Sequence, residues 1–257
     1  MRLRQSLARV LLEQGPAAAR RRATAGADGV PATTATSWGT LVHLATLGGS
    51  DRIVRVDADD WRSKGARDSR VEASAAGRVA MLSRDWDRVA AASTAATTML
   101  LRATRELGVA APAATETSLE WISHGCPCAG TLDWMAHQDG RGVILDLKTT
   151  DSDPSAFAAS VWRYGYDIQA AAYLDAARTL HPHIRWTYGL VVVPEEPEDT
   201  WWAPLSPAYL EVGERRWREA KRVWARCLQD GSWPGPVSGV AIEPPAWVLS
   251  KSEDYNG

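Results

Sequence analysis

Three charged residues stand inside two strand-like runs that are otherwise apolar. Asp133 lies in "GTLDWM", and Asp146 and Lys148 lie in "VILDLKTT". Between them, Asp139-Gly140 is a strong signal for a two-residue hairpin turn, because a type I′ turn needs positive φ at both central positions. A turn centred there places Asp133 directly opposite Asp146, and such cross-strand Cβ atoms lie about 4.5–5.5 Å apart. Two carboxylates at that separation destabilise a sheet unless a positive charge lies between them.

A divalent cation would reverse this repulsion, and the chemistry that it allows is phosphodiester hydrolysis. Carboxylate oxygens are hard ligands that suit Mg²⁺, and the ion can polarise a phosphate and acidify a bound water. Lys148 shares the face of Asp146, so it can orient the attacking water or neutralise charge that develops on the phosphate. The opposite face is apolar and consists of Val143, Leu145 and Leu147. The alternative is a surface hairpin in which Lys148 only forms a salt bridge with Asp146 or Asp133.

Two other parts of the chain carry side chains that suit such a site. Gln169 and Tyr173 are four residues apart in a predicted helix, so they project from the same face. An ordinary amphipathic helix would give the same pattern. His43 lies in a predicted helix that is otherwise apolar, where a hydrogen-bonded core histidine is the alternative to a functional one.

Composition limits the classes of protein that fit. The chain has 257 residues, 45% of them hydrophobic, which is enough for one large domain or two small ones. A net charge of −2 argues against a histone-like, purely electrostatic DNA binder, although a local basic groove can still bind phosphate. The three cysteines are too few for a disulfide framework, and the Cys126-Pro-Cys128 spacing does not fit a zinc site. No apolar run reaches the roughly 20 residues of a membrane span, and the expected location is the cytoplasm.

The first 49 residues contain two predicted helices joined by a linker. Gly15-Pro16 is expected to end the first helix, whose apolar face contains Leu3, Leu7, Val10 and Leu11. Residues 23–36 form a polar linker of small residues. The second helix covers 37–49, with Ser37 as its candidate N-cap and Gly48-Gly49 as its stop.

Residues 51–107 give less regular patterns. The Asp- and Arg-rich segment over 51–71 predicts a surface-exposed strand and loop. The Ala-rich segment over 72–107 predicts one or two long helices, because apolar residues such as Val79 and Leu82 recur in it at helical spacing.

From about residue 115 the pattern changes to strands. The segments "TETSLEWI", "GTLDWMAH" and "GVILDLKTT" predict three strands in succession. Helices are predicted over 154–163 and 167–180, with a break at Gly165. The segment "RWTYGLVVVP" then predicts a buried strand, and residues 206–229 predict a long amphipathic helix.

The simplest architecture is one α/β domain over 37–257, preceded by an N-terminal helix and flexible linker over 1–36. Its mixed sheet begins as three antiparallel strands, gains a further strand and is flanked by helices. The Pro-rich C-terminal segment is expected to form an ordered wrap that Trp233 and Trp247 hold in place.

Taken in order, these segments resemble the PD-(D/E)xK nuclease superfamily, and within it the RecE-like exodeoxyribonucleases of phages and prophages in the RecB-like branch. The resemblance runs through "WGTLVHLATLGG", "ETSLEW", "GTLDWM", "ILDLKTT", "YGYDIQAAAYLDAA", "DGSWPGP" and "EPPAW". It therefore covers most of the chain, whereas residues 1–36 match only loosely. The fold that it implies is a restriction-endonuclease-like core.

The resemblance also implies a role for each candidate in the hairpin. Asp133 corresponds to the motif aspartate of the second core strand, and Asp146 and Lys148 correspond to the D-x-K pair. All three are thus expected to be catalytic, with both carboxylates binding metal. His43 and the Leu147 carbonyl oxygen are expected as further metal ligands.

Three more positions match the family around this hairpin. Gln169 and Tyr173 correspond to the QxxxY motif beside the active site, which helps to position DNA. Glu116 matches an acidic position at the start of the first core strand and is expected to be catalytic. Glu120, on the same face of that strand, is the alternative.

The activity that the resemblance implies is Mg²⁺-dependent exonuclease digestion of duplex DNA ends, in the 5′ to 3′ direction, which leaves single strands for recombination. Mn²⁺ is a substitute metal, and no iron-sulfur cluster is expected, because cluster-binding relatives need four cysteines. The implied partners are a RecT-type single-strand annealing protein and further copies of the chain in a closed ring around DNA. The alternatives are a single-strand or end-processing nuclease of other polarity and a catalytically inert DNA-binding or assembly subunit.

Overall fold

The computed structural model describes residues 1–25, 38–151, 153–236 and 243–244. Within them the helices are α1 (Gln5–Gln14), α2 (Pro16–Thr24), α3 (Trp38–Thr46), α4 (Lys64–Ala75), α5 (Trp86–Glu106), α6 (Pro154–Tyr164), α7 (Tyr166–Leu180) and α8 (Pro207–Asp230). The strands are β1 (Ile53–Val56), β2 (Val79–Leu82), β3 (Ala114–Ser123), β4 (Cys126–Gln138), β5 (Arg141–Thr149), β6 (Arg185–Val193) and β7 (Trp201–Pro204). The predicted N-cap Ser37, Trp247 and most of the predicted linker lie outside the described residues.

A five-stranded mixed sheet organises the domain. Its strand order is β3-β4-β5-β6-β7, and only the β5/β6 pair is parallel. The predicted antiparallel trio and the further strand are therefore confirmed, as is the flanking by helices. Strand β1 lies in the segment where the sequence predicted a strand, whereas two elements were not predicted: β7 at one edge of this sheet, and β2, which forms a separate parallel pair with β1.

The β4–β5 hairpin has the predicted turn and register. Asp139 and Gly140 have φ of 49° and 75°, as a type I′ turn requires. Pairing runs from Gln138 and Arg141 at the turn to Trp134 and Leu145. The next residue on each strand is the aspartate singled out by the sequence. The ladder between the two strands stops before them, while β4 continues beside β3 and β5 continues beside β6.

Strand β5 is buried on both faces by two hydrophobic clusters. One cluster joins β5 to α5 and contains Val143, Leu145, Leu147, Ala92, Ala96 and Leu100. The other cluster contains Ile144 together with Ile168 of α7. Asp146 lies on the α7 side, because Gln169 of α7 hydrogen-bonds to it. The predicted division of β5 into a charged face and an apolar face is thereby confirmed.

The N-terminal segment is part of this core. Leu7, Val10 and Leu11 of α1 belong to the same buried cluster as Trp121 of β3. Leu3 is not helical: its N–H donates to Pro127 at 2.8 Å and its carbonyl accepts from Ala129 at 3.0 Å, which adds a short bridge to β4. Gly15, at φ 85°, ends α1 as expected, but Pro16 begins a second helix. The predicted boundary near residue 37 therefore does not coincide with a boundary of the core.

The prediction for residues 51–107 was wrong in part. Val79 and Leu82, expected in a long helix, lie on β2, and α4 occupies part of the segment expected to be loop. Gly77, at φ 66°, separates α4 from β2. Val79 and Leu82 are three residues apart, a spacing that suits a helix as well, and only the parallel pairing with β1 selects the strand.

Two other sequence predictions concern the C-terminal segment and the absence of a membrane-spanning helix. Trp233 packs its ring against Trp224 of α8 with 4.8 Å between centroids, and the Pro234 carbonyl accepts from the Ala17 amide at 3.1 Å. The start of the predicted C-terminal wrap is thus tied to α8 and α2. Among the described residues, no helix has both the length and the apolarity that crossing a membrane requires.

A buried polar network joins α7, α8 and β3 on the side of α7 that faces α8. The Asp175 carboxylate accepts hydrogen bonds from the indole N–H groups of Trp121 and Trp217 at 3.1 and 2.9 Å. It also accepts from the Ser123 hydroxyl and the Lys221 ammonium, both at 3.0 Å. Burial alone would raise the pKa of Asp175, but these hydrogen bonds, foremost from Trp217, and the Lys221 charge together lower it. The carboxylate is therefore held in its ionised form.

We expect Asp175→Asn to lower the free energy of unfolding by about 2–4 kcal/mol at pH 7, because Lys221 would remain buried without its counter-charge. A depressed folded-state pKa gives stability that is present above the unfolded value, about 3.9, and lost as the pH falls through the folded value. The difference in unfolding free energy between variant and wild type should thus become smaller below about pH 4. Urea unfolding between pH 7 and pH 3 measures it, with exposed Asp68→Asn as control. A constant difference across that range would contradict the proposed ionised state.

Candidate active site

The residues singled out by the sequence surround the point where β4 and β5 separate, here called the sheet fork and defined by Asp133 and Asp146. Asp133 spans the gap, because its Oδ2 accepts the Leu147 N–H at 2.9 Å. Asp133 is 8% exposed and Asp146 is fully buried, so neither is a solvated surface carboxylate. The two carboxylates are therefore buried and not at the surface as in the alternative, although the Lys148–Asp146 salt bridge of that alternative is present.

Helix α3 brings His43 to the fork. A Cβ at Gly39 would lie 2.7 Å from Thr149 Oγ1, so the absence of a side chain lets the helix pack closely on the end of β5. One turn further on, His43 Nε2 lies 3.1 Å from Asp133 Oδ2. His43 is only partly buried and so is not a core histidine, although it does form a hydrogen bond with Asp133.

Glu116 completes this side of the fork. Its Oε1 lies 3.6 Å from His43 Nδ1, so the imidazole is placed between two carboxylates. Glu116 has φ of 49°, which is uncommon for a residue with a Cβ, and the β3–β4 register passes over it. The alternative acid, Glu120, points elsewhere and forms a salt bridge with Arg2 at 2.7 Å. The geometry thus brings Glu116, and not Glu120, to the fork.

These contacts set the charge state of the histidine and its partner. Burial alone would lower the pKa of His43, but the hydrogen bond and charge of Asp133 and the charge of Glu116 raise it above its ordinary value. Burial would raise the pKa of Asp133, but the His43 hydrogen bond, the Lys148 charge and the Leu147 N–H lower it overall. For Glu116, burial and the Asp133 charge outweigh His43 and raise the pKa. The fork therefore concentrates negative charge that the protein only partly neutralises.

Asp146 and Lys148 form a buried ion pair on the other side of the fork. The Lys148 ammonium contacts Asp146 Oδ2, and the Gln169 amide donates to Asp146 Oδ1 at 2.8 Å. Burial, followed by repulsion from Asp133, raises the pKa of Asp146 to about 7, although Lys148 opposes the shift. For Lys148 the burial effect is smaller than the attraction of Asp146 and Asp133, so its pKa is raised. The lysine is a fixed cation beside the two carboxylates.

Gln169 and Tyr173 hold this arrangement from α7. Gln169 Nε2 lies 3.2 Å from the Tyr173 hydroxyl, which donates to the Thr131 carbonyl at 2.7 Å. A Cβ at Gly130 would lie 3.0 Å from the Tyr173 ring, so glycine there lets the ring lie against β4. Gln169 is 9% exposed and Tyr173 3% exposed. The pair positions Asp146, and its expected contact with DNA stays a prediction.

Tyr173→Phe should lower the free energy of unfolding by about 1–3 kcal/mol, because the partly buried Thr131 carbonyl and the Gln169 amide each lose a partner. The midpoint of urea unfolding measures this, with the slope unchanged if the fold is kept. Tyr164→Phe removes the same hydroxyl from an exposed tyrosine and serves as the matched control. Equal midpoints for both variants would show that the Tyr173 hydroxyl does not hold the site.

A concave cavity of about 420 Å³ opens onto the fork. His43, Glu116 and Lys148 line it, together with two residues that sequence reasoning missed, Arg52 and Tyr166. The Tyr166 ring centroid lies 4.6 Å from Lys148 Nζ. Tyr166 could have been found from the sequence, since it precedes Gln169 by three residues on the same helix. Nothing in the sequence pointed to Arg52, because it lies in a short segment before β1.

The donor atoms of His43, Glu116 and Asp133 all lie within 4.8 Å of one another, the one group of three so placed in the part of the chain that the structure describes. One imidazole and two carboxylates form a donor set that suits a divalent cation, and the unbalanced charge favours one. Asp146 lies outside this group, because Lys148 and Gln169 hold its oxygens. Coordination by Asp146 and by the Leu147 carbonyl oxygen stays a prediction.

A mixed sheet whose central hairpin carries an aspartate followed by an Asp-x-Lys pair is the core of a PDDEXK-like domain. The family model described as "PDDEXK-like domain of unknown function (DUF3799)" matches residues 113–242, which is 130 of 257 residues. The chain belongs to that family, and with it to the PD-(D/E)xK nuclease superfamily. The predicted superfamily is thereby confirmed, and the matched segment contains all the predicted site residues except His43.

The chain is similar to two solved structures. A candidate exonuclease from Eubacterium rectale is similar over 98% of this chain and 92% of its own, with a TM-score of 0.50 and 12% sequence identity. The protein SSO0001 is similar over 68% of this chain and 73% of its own, with a TM-score of 0.29 and 16% identity. At such low identity the first likeness concerns the fold alone. None of the curated proteins compared with the sequence matches it.

Proposed function

We propose that this chain is a divalent-metal-dependent DNA exonuclease that digests duplex ends in the 5′ to 3′ direction and leaves single strands for recombination. The observation that carries the proposal is the sheet fork itself. There, Asp133 and the Asp146–Lys148 pair are buried side by side, next to a cavity that Lys148, His43 and Glu116 line. The exonuclease description of the Eubacterium rectale neighbour and the resemblance to RecE-like enzymes support the choice of an end-directed activity.

The metal assigned to the cluster is Mg²⁺, with Mn²⁺ as a substitute, held by Asp133, Glu116 and His43. When bound, such an ion polarises a phosphate oxygen and acidifies a water. The Leu147 N–H holds Asp133 in place, whereas His43 would have to lose its proton and its contact with Asp133 in order to bind the ion.

The protein groups supply the remaining chemistry. Lys148 lies at the cavity wall and keeps its charge, so it can hold the attacking water and stabilise negative charge that develops on the phosphate. Asp146 fixes the lysine, and Gln169 fixes Asp146. Preorganised charge in a buried site costs no reorganisation during the reaction, which is why it accelerates hydrolysis.

Two assembly features belong to the proposal on family resemblance alone. One is a closed ring of subunits, which would confer processivity because the DNA could not dissociate sideways. The other is a RecT-type single-strand annealing protein that receives the product strands.

Linear duplexes labelled separately at the 5′ and 3′ ends, with a covalently closed circle as control, test the function. In Mg²⁺ we expect early release of the 5′ label, later release of the 3′ label, an intact circle and no release in EDTA. Early loss of the 3′ label would favour the nuclease of other polarity. Cutting of the circle would identify an endonuclease, and a complete lack of metal-dependent release would favour the inert DNA-binding subunit.

A further inference from the structure

A second cavity of about 640 Å³ lies next to the one at the fork. Thr149 and Tyr166 line both, so the two spaces share a wall. The second cavity is bounded by the end of β5, helix α6, and the first residues of α3 and α5. Its aromatic and basic lining, here called the aromatic pocket, consists of Trp38, Phe157, Tyr164, Tyr166, Arg88 and Arg163. None of these residues has a role in the proposed mechanism, although Tyr166 contacts Lys148.

The aromatic rings of this pocket form a stacking surface. Tyr164 and Tyr166 lie with their centroids 5.8 Å apart and their planes at 33°. Tyr164 is 52% exposed, which leaves much of its ring in contact with solvent. An exposed ring beside a half-buried one can accept a flat ligand on its free face, and nucleic-acid bases are such ligands.

The lining carries two arginines and two carboxylates, Asp151 and Glu195, and Arg163 is the cation that offers a contact to a ligand phosphate. Arg88 is held between the Trp38 ring, at 4.4 Å, and Glu195, at 2.8 Å, so its charge is largely compensated. Arg163 is exposed and lies over Tyr164, 5.8 Å from the ring centroid. In the described part of the chain no carboxylate lies within ion-pair distance of Arg163. A guanidinium beside a stacking ring combines the two contacts that one nucleotide needs, base face and phosphate.

From this arrangement we propose that the aromatic pocket binds an unpaired stretch of the DNA strand adjacent to the phosphate being cleaved, with a base on Tyr164 and a backbone phosphate on Arg163. The inference rests on the proposed nuclease function, because the shared wall at Thr149 and Tyr166 places the pocket beside Lys148. An intact duplex hides the faces of its bases within the stack, so only an unpaired segment can use the Tyr164 ring.

The test measures binding rather than hydrolysis. The full-length chain in EDTA is titrated into a labelled single-stranded oligonucleotide, a matched oligonucleotide with an abasic segment, and a blunt duplex. Tyr164→Leu should weaken binding of the single strand by about 5- to 100-fold, the usual range for one lost base stack. Binding of the abasic strand and of the blunt duplex should change less than about twofold. Arg163→Ala should weaken both single strands, because the phosphate contact does not need a base.

Trp162→Leu is the matched control, because Trp162 is an exposed aromatic on the same helix that contacts Arg216, 4.2 Å away, and does not line the pocket. Equal weakening of the intact strand, abasic strand and duplex by Tyr164→Leu would overturn the proposal, as would an unchanged affinity or an equal effect of Trp162→Leu. Failure of the nuclease function would appear separately, as an absence of metal-dependent hydrolysis by the wild-type chain.

Discussion

Lys148→Met should lower the rate of metal-dependent DNA hydrolysis by about 10²- to 10³-fold, the usual effect of removing one preorganised group that stabilises transition-state charge. Lys148 is the cation that lies at once against Asp146 and at the wall of the fork cavity. Methionine keeps most of the apolar stem and removes the ammonium. The loss should therefore fall on the chemical step.

The variant should still fold, and the reason lies in Asp146. Burial and Asp133 already raise the pKa of this carboxyl to about 7, even with Lys148 beside it. Without the lysine its pKa should rise further, so the carboxyl takes up a proton and leaves no uncompensated buried charge. The unfolding midpoint in urea at pH 7 checks this directly.

Single-turnover release of nucleotides in Mg²⁺ measures the chemical step, and DNA affinity in EDTA measures binding. We expect the rate of nucleotide release to fall steeply. The DNA affinity should stay within about twofold of wild type, because one phosphate contact is a small part of a DNA interface. Lys64→Met, at an exposed position on α4, is the matched control. Wild-type rates for Lys148→Met would remove the lysine from the mechanism, whereas equal losses in rate and binding would make it a DNA-binding residue only.

The parts of this site that the sequence predicted are those set by local geometry. The Asp139-Gly140 turn and the alternation along "VILDLKTT" determine the register of one hairpin, and that register places Asp133 and Asp146 at corresponding positions. Gln169 and Tyr173 lie on one face because helical spacing requires it. These relations need only residues that are close in sequence.

The parts that the sequence left open depend on contacts between distant segments. Nothing in the spacing of the chain shows that His43 lies between Glu116 and Asp133, since α3 and the hairpin meet only through tertiary packing at Gly39. The choice between Glu116 and Glu120 also depends on contacts between distant segments, which the spacing of residues does not show. Strands β2 and β7 are four residues long, too short to show a period, and are defined by their partners.

The burial of Asp146 could not be predicted from the sequence either. A carboxylate in an apolar strand indicates a site, but its sequence neighbours do not show whether it faces a metal or a lysine. The structure places Lys148 and Gln169 on its two oxygens, and thereby separates it from the group formed by His43, Glu116 and Asp133.

The second large effect concerns Asp133, the carboxylate common to both sides of the fork. Asp133→Asn should weaken the binding of Mg²⁺ or Mn²⁺ by about 100-fold or more, since loss of even an outer-shell partner costs 10- to 100-fold in metal sites. Asparagine has the same shape, and its Oδ1 can still accept the Leu147 N–H. The change therefore removes charge while it keeps the hydrogen bond that fixes the strand.

Two measurements without DNA separate metal binding from catalysis: calorimetric titration with Mn²⁺, and the shift of the unfolding free energy at increasing Mg²⁺. A metal at 100 times its dissociation constant stabilises the wild-type chain by about 2.7 kcal/mol, and the variant should gain almost none of this at the same concentration. Asp139→Asn is the matched control, because it makes the same chemical change at the exposed turn of the same hairpin, where asparagine tolerates the positive φ. If Asp133→Asn and wild type gain equal stability from metal, the cation does not bind at the fork, and the hydrolytic mechanism built on that site is wrong even if the chain degrades DNA.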